Sequence, residues 1–266
     1  MSADAADAPA EGRVIFEKDG PIARVTFDNR KAHNALTMAM WHQLRSICRQ
    51  VSADREVRVV TFRGAGGKSF ISGTDISGFL KFESGKDGIS YEREMDSCIG
   101  AVEEIPQPTL AIIDGWCVGG GLSIAASCDF RLVTPAAKFG SPLSKTIGNC
   151  LSAKGYARLV ANVGISYAKR ILILGEMVGA EQLKAMGLAL DIVEPEEMDA
   201  AVEALCANLV ETAPLTTKSS KEAIRRLTYR ALPDIDELIE EVYGSDDFRN
   251  AVRNFLDKKP RTWTGK

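Results

Sequence analysis

The stretch 114–130, DGWCVGGGLSIAASCDF, constrains the fold more than any other part of this 266-residue chain. The apolar run Thr109–Ile113 precedes it and is typical of a buried strand. Three consecutive glycines, Gly119, Gly120 and Gly121, then lead into small and apolar residues that predict a tightly packed helix. A strand that turns through glycines into a helix exposes unpaired N–H groups at the positive end of the helix dipole. Because no Cβ blocks the approach, the stretch predicts a place where a substrate oxygen gains negative charge against the backbone.

Composition and charge argue against several other classes of protein. The net charge of −3 gives no bulk attraction to nucleic acid, and no apolar run is long enough to span a membrane. The chain has two histidines and six scattered cysteines without a CxxC pair, so we expect no metal site and reduced, buried thiols in a cytoplasmic protein. Residues 1–12 are rich in Ala and Asp and are predicted to form a disordered tail rather than a signal peptide.

The order of elements predicts an α/β protein. Strands and helices alternate over about two thirds of the chain, and helices alone follow, which indicates an α/β core with a helical C-terminal extension. Residues 69–80, SFISGTDISGFL, repeat the theme of a strand end, a glycine and a helix start. Residues 81–90 are charged and contain glycine, which favours a mobile loop or lid. Residues 235–254 are predicted to form one helix.

Four segments, taken in this order and spacing, resemble one known family. They are the turn 29–36 (NRKAHNAL), the segment 69–76 (SFISGTDI), the stretch 114–130 and the tail 255–266 (FLDKKPRTWTGK). Together they resemble the crotonase family, also called the enoyl-CoA hydratase/isomerase family, over nearly the whole chain. A triple glycine alone would be weak support, whereas the four segments together are a strong signal for the fold.

The resemblance implies a crotonase-like spiral of ββα units and an acyl-CoA thioester as substrate. Residues 13–195 would form the acyl-CoA-binding core, and residues 196–266 a helical region that mediates trimers, often paired into hexamers. Coenzyme A would be part of the substrate, and no prosthetic group is implied. We therefore expect a homotrimer or homohexamer, and the apolar positions in the C-terminal helices exceed what one spiral core needs.

The resemblance also assigns roles to individual residues. The backbone N–H groups of Thr74 and Gly120 would bind the thioester oxygen, so that two preorganised donors favour the transition state. Residues of two other segments would hold the coenzyme, and an aromatic residue of the tail would cap a neighbour's site or form a frayed end. These residues are Lys31, Ala32, His33 and Ala35 for the nucleotide and pantetheine, Ser72 and Ile76 for the adenine, and Trp263 in the tail.

Two positions depart from the family pattern. Family hydratases use one glutamate just after the triple glycine and a second after an FG-x-P segment, and here Ser123 and Leu143 stand at these positions. Neither side chain transfers a proton near neutral pH. The chain therefore lacks the two carboxyl groups of standard hydratase chemistry, although the fold is unaffected.

Other residues are candidates for the missing chemistry. Asn149 and Cys150 follow the second acid position and are expected to line the acyl pocket. Cys150 would be a thiol counterpart of the aspartate nucleophile of halide-displacing members, or simply a small buried hydrophobe. Ser123 would hold a water or hydroxyl group, or would pack beneath the glycines. Further candidates, each weighed against a place on a solvated helix face, are Tyr91, Glu94, Tyr243 and Asp246.

Two classes of function follow from these residues. The first is an enzyme that acts on an acyl-CoA, an enoyl-CoA hydratase or isomerase by family. Its variants would be a hydrolase, a decarboxylase or a hydratase-lyase that uses the oxyanion hole with other groups. The second is a non-catalytic acyl-CoA-binding protein that retains the hole without the acids. We favour the enzyme, because both glycine motifs are intact.

Overall fold

A computed structural model describes residues 12–266 of the chain, so the predicted tail lies outside the described residues except for Gly12. The strands are β1 (Arg13–Asp19), β2 (Ile22–Asp28), β3 (Val59–Gly64), β4 (Ser69–Ile71), β5 (Thr109–Ile113), β6 (Trp116–Val118), β7 (Phe130–Val133), β8 (Lys138–Gly140), β9 (Val178–Gly179) and β10 (Asp191–Ile192). The helices are α1 (Met38–Ala53), α2 (Gly85–Glu103), α3 (Gly120–Ser127), α4 (Ala153–Leu172), α5 (Ala180–Ala185), α6 (Met198–Val210), α7 (Pro214–Thr228), α8 (Asp236–Gly244) and α9 (Asp246–Leu256). Short 3-10 turns cover Arg30–Ala32, Ile76–Lys81 and Leu143–Lys145.

The strands form two sheets that the chain visits alternately. The larger sheet has the order β1-β2-β3-β5-β7-β10, and the smaller has the order β4-β6-β8-β9. Neighbouring strands are parallel except in the pairs β1/β2 and β8/β9. The units β3–β4–α2, β5–β6–α3 and β7–β8–α4 each place one strand in each sheet before a helix. This repetition confirms the predicted spiral of ββα units.

Buried apolar side chains form three clusters in this spiral. The main core lies between the two sheets and the helices around them, and it includes Phe27, Phe62 and Phe139. A second core packs α6 against the outer face of the larger sheet. A third group, which we call the C-terminal cluster, joins α8 and α9 to the 3-10 turn after β4 and to the loop before α4. Its buried members are Phe79, Ile147, Cys150, Ile239, Tyr243, Phe248 and Val252.

The predicted lid at residues 81–90 is wrong for its second half, because α2 begins at Gly85. The side chain of Asp87 accepts hydrogen bonds from the backbone N–H groups of Glu83 and Ser84 and so caps the helix. Glycine at position 88 reflects close packing rather than flexibility. A Cβ there would lie 2.2 Å from Cγ of Tyr243 on α8. The glycines that suggested a loop therefore allow two helices to approach each other.

The prediction of one helix over 235–254 is also wrong in detail, because Ser245 divides it into α8 and α9. Ser245 has an extended backbone, and its hydroxyl accepts a hydrogen bond from the N–H of Phe248 at 3.0 Å. A serine in this role starts a new helix and lets the chain change direction. The break directs Tyr243 and Phe248 into the same C-terminal cluster.

All six cysteines are buried and unpaired. Within the described part of the chain, no group of three or more His, Cys, Asp or Glu side chains is arranged to hold a metal ion. None of the helices in residues 12–266 combines the length and the apolar character needed to cross a lipid bilayer.

Candidate active site

The two glycine turns meet in space. The first follows β4, where Gly73 has φ +137° and leads into Thr74, and the second follows β6, where Gly119 has φ +54° and leads into α3. A Cβ on Gly120 would lie 2.9 Å from Oγ1 of Thr74, and a Cβ on Gly119 would lie 3.8 Å from Cα of Gly73. The strands that carry the turns, β4 and β6, are parallel neighbours, so their carboxyl ends deliver both turns to one edge of the smaller sheet.

Each of the three consecutive glycines is required at its position for a different steric reason. Gly119 has φ +54° and ψ −111°, a backbone conformation that residues with a side chain rarely adopt. A Cβ on Gly120 would lie 2.7 Å from Cζ2 of Trp41, and one on Gly121 would lie 2.5 Å from the carbonyl oxygen of Ile71. The run of three glycines is therefore set by one backbone conformation and two close approaches.

The hydrogen bonds around the turns leave two amides without an acceptor in the described part of the chain. The N–H of Leu36 donates to the carbonyl of Gly73 at 2.9 Å, and the carbonyl of Leu36 accepts from the N–H of Asp75 at 2.8 Å. These two hydrogen bonds use the residues on either side of Thr74 and not its own N–H. The carbonyl of Gly119 accepts from the N–H of Ser123 at 3.0 Å and starts the helix. Among residues 12–266, the N–H groups of Thr74 and Gly120 have no backbone or side-chain acceptor. Two donors therefore remain available at the point where the turns meet.

A cavity of about 180 Å³ lies against these turns. Its volume is slightly larger than the roughly 150 Å³ of an engineered protein cavity that binds benzene, so the cavity has room for a short chain or a single ring. Six of the residues predicted from the sequence line it, from both glycine turns and from the loop before α4. They are Ser72, Thr74, Ile76, Gly120, Ser123 and Asn149. Leu143, at the second departure from the family pattern, lines it as well.

The cavity wall does not include Cys150, which lies in the C-terminal cluster. Burial raises the pKa of its thiol to about 12, so the thiol stays neutral near neutral pH. The structure therefore does not bring Cys150 into the wall of this cavity, contrary to the expectation for an acyl pocket located here. The alternative of a small buried hydrophobe fits its surroundings.

The turn predicted to hold the coenzyme lies beside the cavity rather than in its wall. Lys31, Ala32 and His33 are exposed, and Ala35 is half-buried. Ser72, which does line the cavity, donates through its hydroxyl to the carbonyl of Ala32 at 3.1 Å and through its N–H to the carbonyl of His33 at 3.2 Å. The turn is thus fixed to the edge of the cavity on its solvent side.

The aromatic residue of the tail lies elsewhere on the surface. A Cβ on Gly148 would lie 2.7 Å from Cζ3 of Trp263, so the ring covers that glycine. The side chain of Asp247 holds the following residues through the N–H groups of Thr264 and Gly265, both at 2.8 Å. The tail is therefore fastened to the start of α9 of its own chain.

The structure adds two carboxylates that sequence reasoning missed, Glu92 and Asp96 on α2, of which Glu92 is the more buried. The side chain of Glu92 lines the cavity, and only 6% of the residue is exposed. Its Oε1 accepts a hydrogen bond from the hydroxyl of Tyr243 at 2.6 Å, and its Oε2 accepts one from the N–H of Ser152 at 2.9 Å. Desolvation by burial raises the pKa of Glu92 to about 7, although both hydrogen bonds act in the opposite direction.

A pattern in the sequence could have indicated Glu92. It lies in a helical stripe with Gly88, Met95, Ile99 and Val102, all of which are buried. A carboxylate within such a stripe is either paired or functional. The assumed loop at residues 81–90 hid the first turn of this helix and so obscured the stripe.

The other carboxylates proposed from the C-terminal helices and from α2 point to partners outside the cavity. Glu94 accepts from Nε2 of His42 and pairs with Nη1 of Arg45, both at 2.9 Å. Asp246 pairs with Arg249 at the start of α9. These two residues do not line the cavity, whereas Tyr91 does and Tyr243 acts on it through Glu92.

Three buried polar atoms near the cavity have no hydrogen-bond partner within the described residues. They are Nε1 of Trp41, Oγ of Ser141 and Oδ1 of Asn149, and all three residues line the cavity. Buried polar groups without partners are rare in folded proteins, which makes these three atoms candidates for a functional role. Chemically, the cavity thus combines two amide donors, a titratable carboxylate and several unsatisfied polar atoms.

Comparison with known proteins agrees with this geometry. The family model described as enoyl-CoA hydratase/isomerase matches residues 17–266. The chain belongs to the enoyl-CoA hydratase/isomerase family. Within this family of acyl-CoA enzymes, the short-chain-enoyl-CoA hydratase of Clostridium acetobutylicum is 31% identical over 250 residues, which cover 92% of this chain and 95% of that protein. The (E)-benzylidenesuccinyl-CoA hydratase of Thauera aromatica is 31% identical over 212 residues, with 79% and 81% covered.

Solved structures superpose on nearly the whole chain. An enoyl-CoA hydratase/carnithine racemase from Magnetospirillum magneticum has a TM-score of 0.77 at 32% identity, with 95% of this chain and 96% of that chain covered. A methylmalonyl-CoA decarboxylase has a TM-score of 0.87 at 22% identity, with 96% and 99% covered. The second likeness shows the fold alone.

Proposed function

We propose that this protein is an enzyme that binds an acyl-CoA and stabilises a thioester enolate with the N–H groups of Thr74 and Gly120. One observation supports the proposal above others, namely that both glycine turns meet at one cavity with these two donors free of backbone acceptors. Negative charge that develops on the thioester oxygen would receive two preorganised hydrogen bonds. Donors of this kind are worth several kcal/mol of the activation barrier.

The reaction that fits best is a proton transfer at Cα coupled to addition, elimination or a shift of the double bond, as in a lyase or isomerase of the family. Two relatives at 31% identity are named as hydratases of acyl-CoA compounds. The cavity volume of about 180 Å³ suits a short or ring-sized acyl group. The residues at the usual acid positions, Ser123 and Leu143, make the proton-transfer group of this chain different from that of standard hydratases.

The coenzyme would lie along the solvent side of the cavity. We propose that Lys31, Ala32, His33 and Ala35 contact it from the turn that Ser72 fixes to the cavity edge. Backbone groups of an exposed turn suit the polar pantetheine, and the ammonium group of Lys31 suits a phosphate. Ile76, at the start of the next 3-10 turn, would contact the adenine.

Binding and turnover test this proposal separately. Titration calorimetry with crotonyl-CoA and with butyryl-CoA measures binding, and loss of the conjugated thioester absorbance measures turnover of crotonyl-CoA. We expect both ligands to bind and their CoA-free acids to bind far more weakly. Failure of either CoA ester to bind at millimolar concentration would contradict the proposal.

A second candidate is a non-catalytic acyl-CoA-binding protein. The observation that favours it is the pair Ser123 and Leu143 at the positions where family hydratases carry glutamates. Tight binding of both CoA esters without any proton exchange at Cα would support this candidate over the enzyme.

We also propose a homotrimer or homohexamer. The motivation is α7, whose apolar side chains are largely exposed in the single chain, with Leu215 at 82%, Ile224 at 64% and Leu227 at 72%. A neighbouring subunit would cover these side chains. Light scattering at micromolar protein concentration measures the mass, and a monomer of 28.8 kDa would contradict the proposal.

A further inference from the structure

The cavity contains one deeply buried carboxylate whose position differs from the two usual acid positions of the family. Among the described residues that line the cavity, the carboxylates are Glu92 and Asp96. Asp96 is only half-buried and accepts from the hydroxyl of Ser152 at 2.8 Å. Glu92 is 6% exposed, so it is the carboxylate that solvent reaches least.

We propose that Glu92 removes a proton from Cα of the bound acyl group and returns it there. Glu92 has this role only if the chain binds acyl-CoA as proposed above. The carboxylate then comes from α2 rather than from α3 or from the segment after β8, where Ser123 and Leu143 stand. One cavity would hold the oxygen of the enolate at the glycine turns and the transferred proton at α2.

The hydrogen bonds of Glu92 fit this role. Each oxygen has one donor, the hydroxyl of Tyr243 at 2.6 Å or the N–H of Ser152 at 2.9 Å, so each keeps a lone pair for a proton. Tyr243 is itself oriented by Nδ2 of Asn149, which donates to its hydroxyl at 3.4 Å. Asn149 also lines the cavity and has an unpartnered Oδ1, so bound substrate and the Glu92 network share one side chain.

Burial and hydrogen bonding set the protonation balance of Glu92. Burial alone would keep the carboxyl neutral, while the two donors favour its charged form, and the result is a pKa of about 7. A general acid or base works best when its pKa lies near the working pH, because both forms are then populated. Burial holds the pKa of Tyr243 well above its usual value, so its hydroxyl remains a donor.

The step itself needs no further reactant. The carboxylate of Glu92 takes the proton from Cα, and the C–H electron pair forms a double bond between Cα and the carbonyl carbon. The carbonyl electron pair moves onto the oxygen, which Thr74 and Gly120 hold by their N–H groups. The protonated Glu92 then returns the proton to Cα and restores the thioester.

Several titratable or charged groups surround Glu92 and can influence its protonation. They come from α2, from the loop before α4, from α4 and from α8. These groups are Tyr91, Asp96, Cys150, Tyr156, Arg158 and Tyr243. Burial raises the pKa of each of the three tyrosines and of Cys150, and Arg158 is paired with Glu103 at 2.6 Å. Asp96 is the other carboxyl of this group, and burial raises its pKa as well.

Exchange of the Cα protons of butyryl-CoA with D₂O, followed by mass spectrometry, measures this step without the natural substrate. We expect the unaltered protein to exchange them with a rate that rises through an inflection near pH 7. Glu92→Gln should lower the rate by at least about 100-fold, as is typical for loss of an acid–base group, while the Kd for butyryl-CoA changes little. The matched control is Glu94→Gln, the same change on the same helix outside the cavity, which should leave rate and Kd unchanged.

Tyr243→Phe separates a positioning role from simple structural support. Losing its hydrogen bond removes a donor that favours the carboxylate, so the inflection of the exchange rate should move to higher pH. If circular dichroism shows that Glu92→Gln does not fold, Glu92→Asp replaces it. Glu92→Asp should exchange the Cα protons at a reduced rate and should retain the pH inflection.

The outcomes distinguish this inference from the proposed function. Binding with exchange lost in Glu92→Gln supports the role of Glu92. Equal exchange in Glu92→Gln and the unaltered protein overturns it and leaves acyl-CoA binding intact, and so does binding by the unaltered protein without any exchange. Failure to bind butyryl-CoA overturns the proposed function and the role of Glu92 together.

Discussion

The two sides of the cavity are built in opposite ways. One side, which we propose to hold the oxyanion and call the oxyanion side, consists of the backbone at the two glycine turns, Gly73–Thr74 and Gly119–Gly121. The carboxylate side consists of side chains, with Glu92 hydrogen-bonded to Ser152, 60 residues along the chain, and to Tyr243, 151 residues along. A site made of backbone groups is determined by short contiguous sequence motifs, whereas a site made of side chains depends on which helices pack together. The difference explains why one side was readable from sequence and the other was not.

The largest expected effect breaks the oxyanion side. Gly120→Pro deletes the N–H while keeping a residue that is acceptable at the first position of a helix. Loss of one such donor typically costs about 100-fold to 1,000-fold in rate, and the ring would also press on Trp41, so we expect at least about a 1,000-fold loss of Cα exchange.

Gly120→Ala is the matched control for this change, because it retains the N–H and adds only a methyl group, which would contact Trp41 and Oγ1 of Thr74. We expect its rate to lie between those of Gly120→Pro and the unaltered protein. A folded Gly120→Pro variant that exchanges Cα protons normally would remove Gly120 from the site.

The second effect concerns the stability contributed by the carboxylate side. The pKa of Glu92 is raised in the folded state from its usual value of 4.5 to about 7, so the folded state binds the proton more tightly. The contribution is fully present below pH 4.5 and is lost as the pH rises through 7. A shift of this size corresponds to about 3 kcal/mol of the free energy of unfolding.

Urea denaturation of the unaltered protein and of Glu92→Gln at pH 4.5 and pH 8 measures this term. The difference in stability between the two proteins should change by up to about 3 kcal/mol over that interval, in favour of Glu92→Gln at the higher pH. The comparison cancels the titration of groups that both proteins share. A difference that stays constant with pH would show that Glu92 ionises in the folded state as it does in the unfolded state.

A third change acts on the packing that brings the carboxylate side together. In Gly88→Ala the new Cβ would lie 2.2 Å from Cγ of Tyr243, so α8 must shift away from α2. We expect a loss of about 1–3 kcal/mol in the free energy of unfolding, as for other overpacked sites. The pH inflection of Cα exchange should also move upward, because the hydrogen bond from Tyr243 to Glu92 lengthens.

Gly100→Ala controls for Gly88→Ala, because it lies on the same helix and its Cβ would have no neighbour within 4 Å. It should be neutral or slightly stabilising, since alanine is the better helix former. If Gly88→Ala leaves the pH inflection unchanged while destabilising the protein, the packing of α8 does not control Glu92.

The smallest expected effect tests the thiol on the carboxylate side. Cys150→Ala removes a buried sulfur outside the cavity, so exchange should stay within about twofold and stability should fall by about 1 kcal/mol. Mass spectrometry after incubation with crotonyl-CoA should find no adduct on Cys150 in the unaltered protein. A large loss of exchange in Cys150→Ala would restore the nucleophile hypothesis.

The sequence predicted much of the fold and the two glycine turns. The ββα repeats were visible because apolar strands and glycine turns recur in order, and Gly119–Gly121 and residues 69–76 were found because their steric demands are local. The functional assignments of these residues stay predictions until they are measured.

The errors share a different cause. Charge and glycines predict a loop over residues 85–90, yet Gly85 and Gly88 allow α8 to pack closely on α2. The same error led to Glu94 as a candidate instead of Glu92, two residues earlier on the helix. Cys150 was placed in the pocket by its position in sequence, although the C-terminal cluster encloses it.

The sequence by itself determined the spiral, the family and the two turns that present backbone donors, since steric limits on glycine and the periodicity of apolar residues act over a few positions. Only the tertiary structure decided which carboxylate is enclosed, because the burial that raises the pKa of Glu92 comes from α4 and α8, which are distant in sequence. Desolvation depends on everything that surrounds a group, and no short segment encodes it.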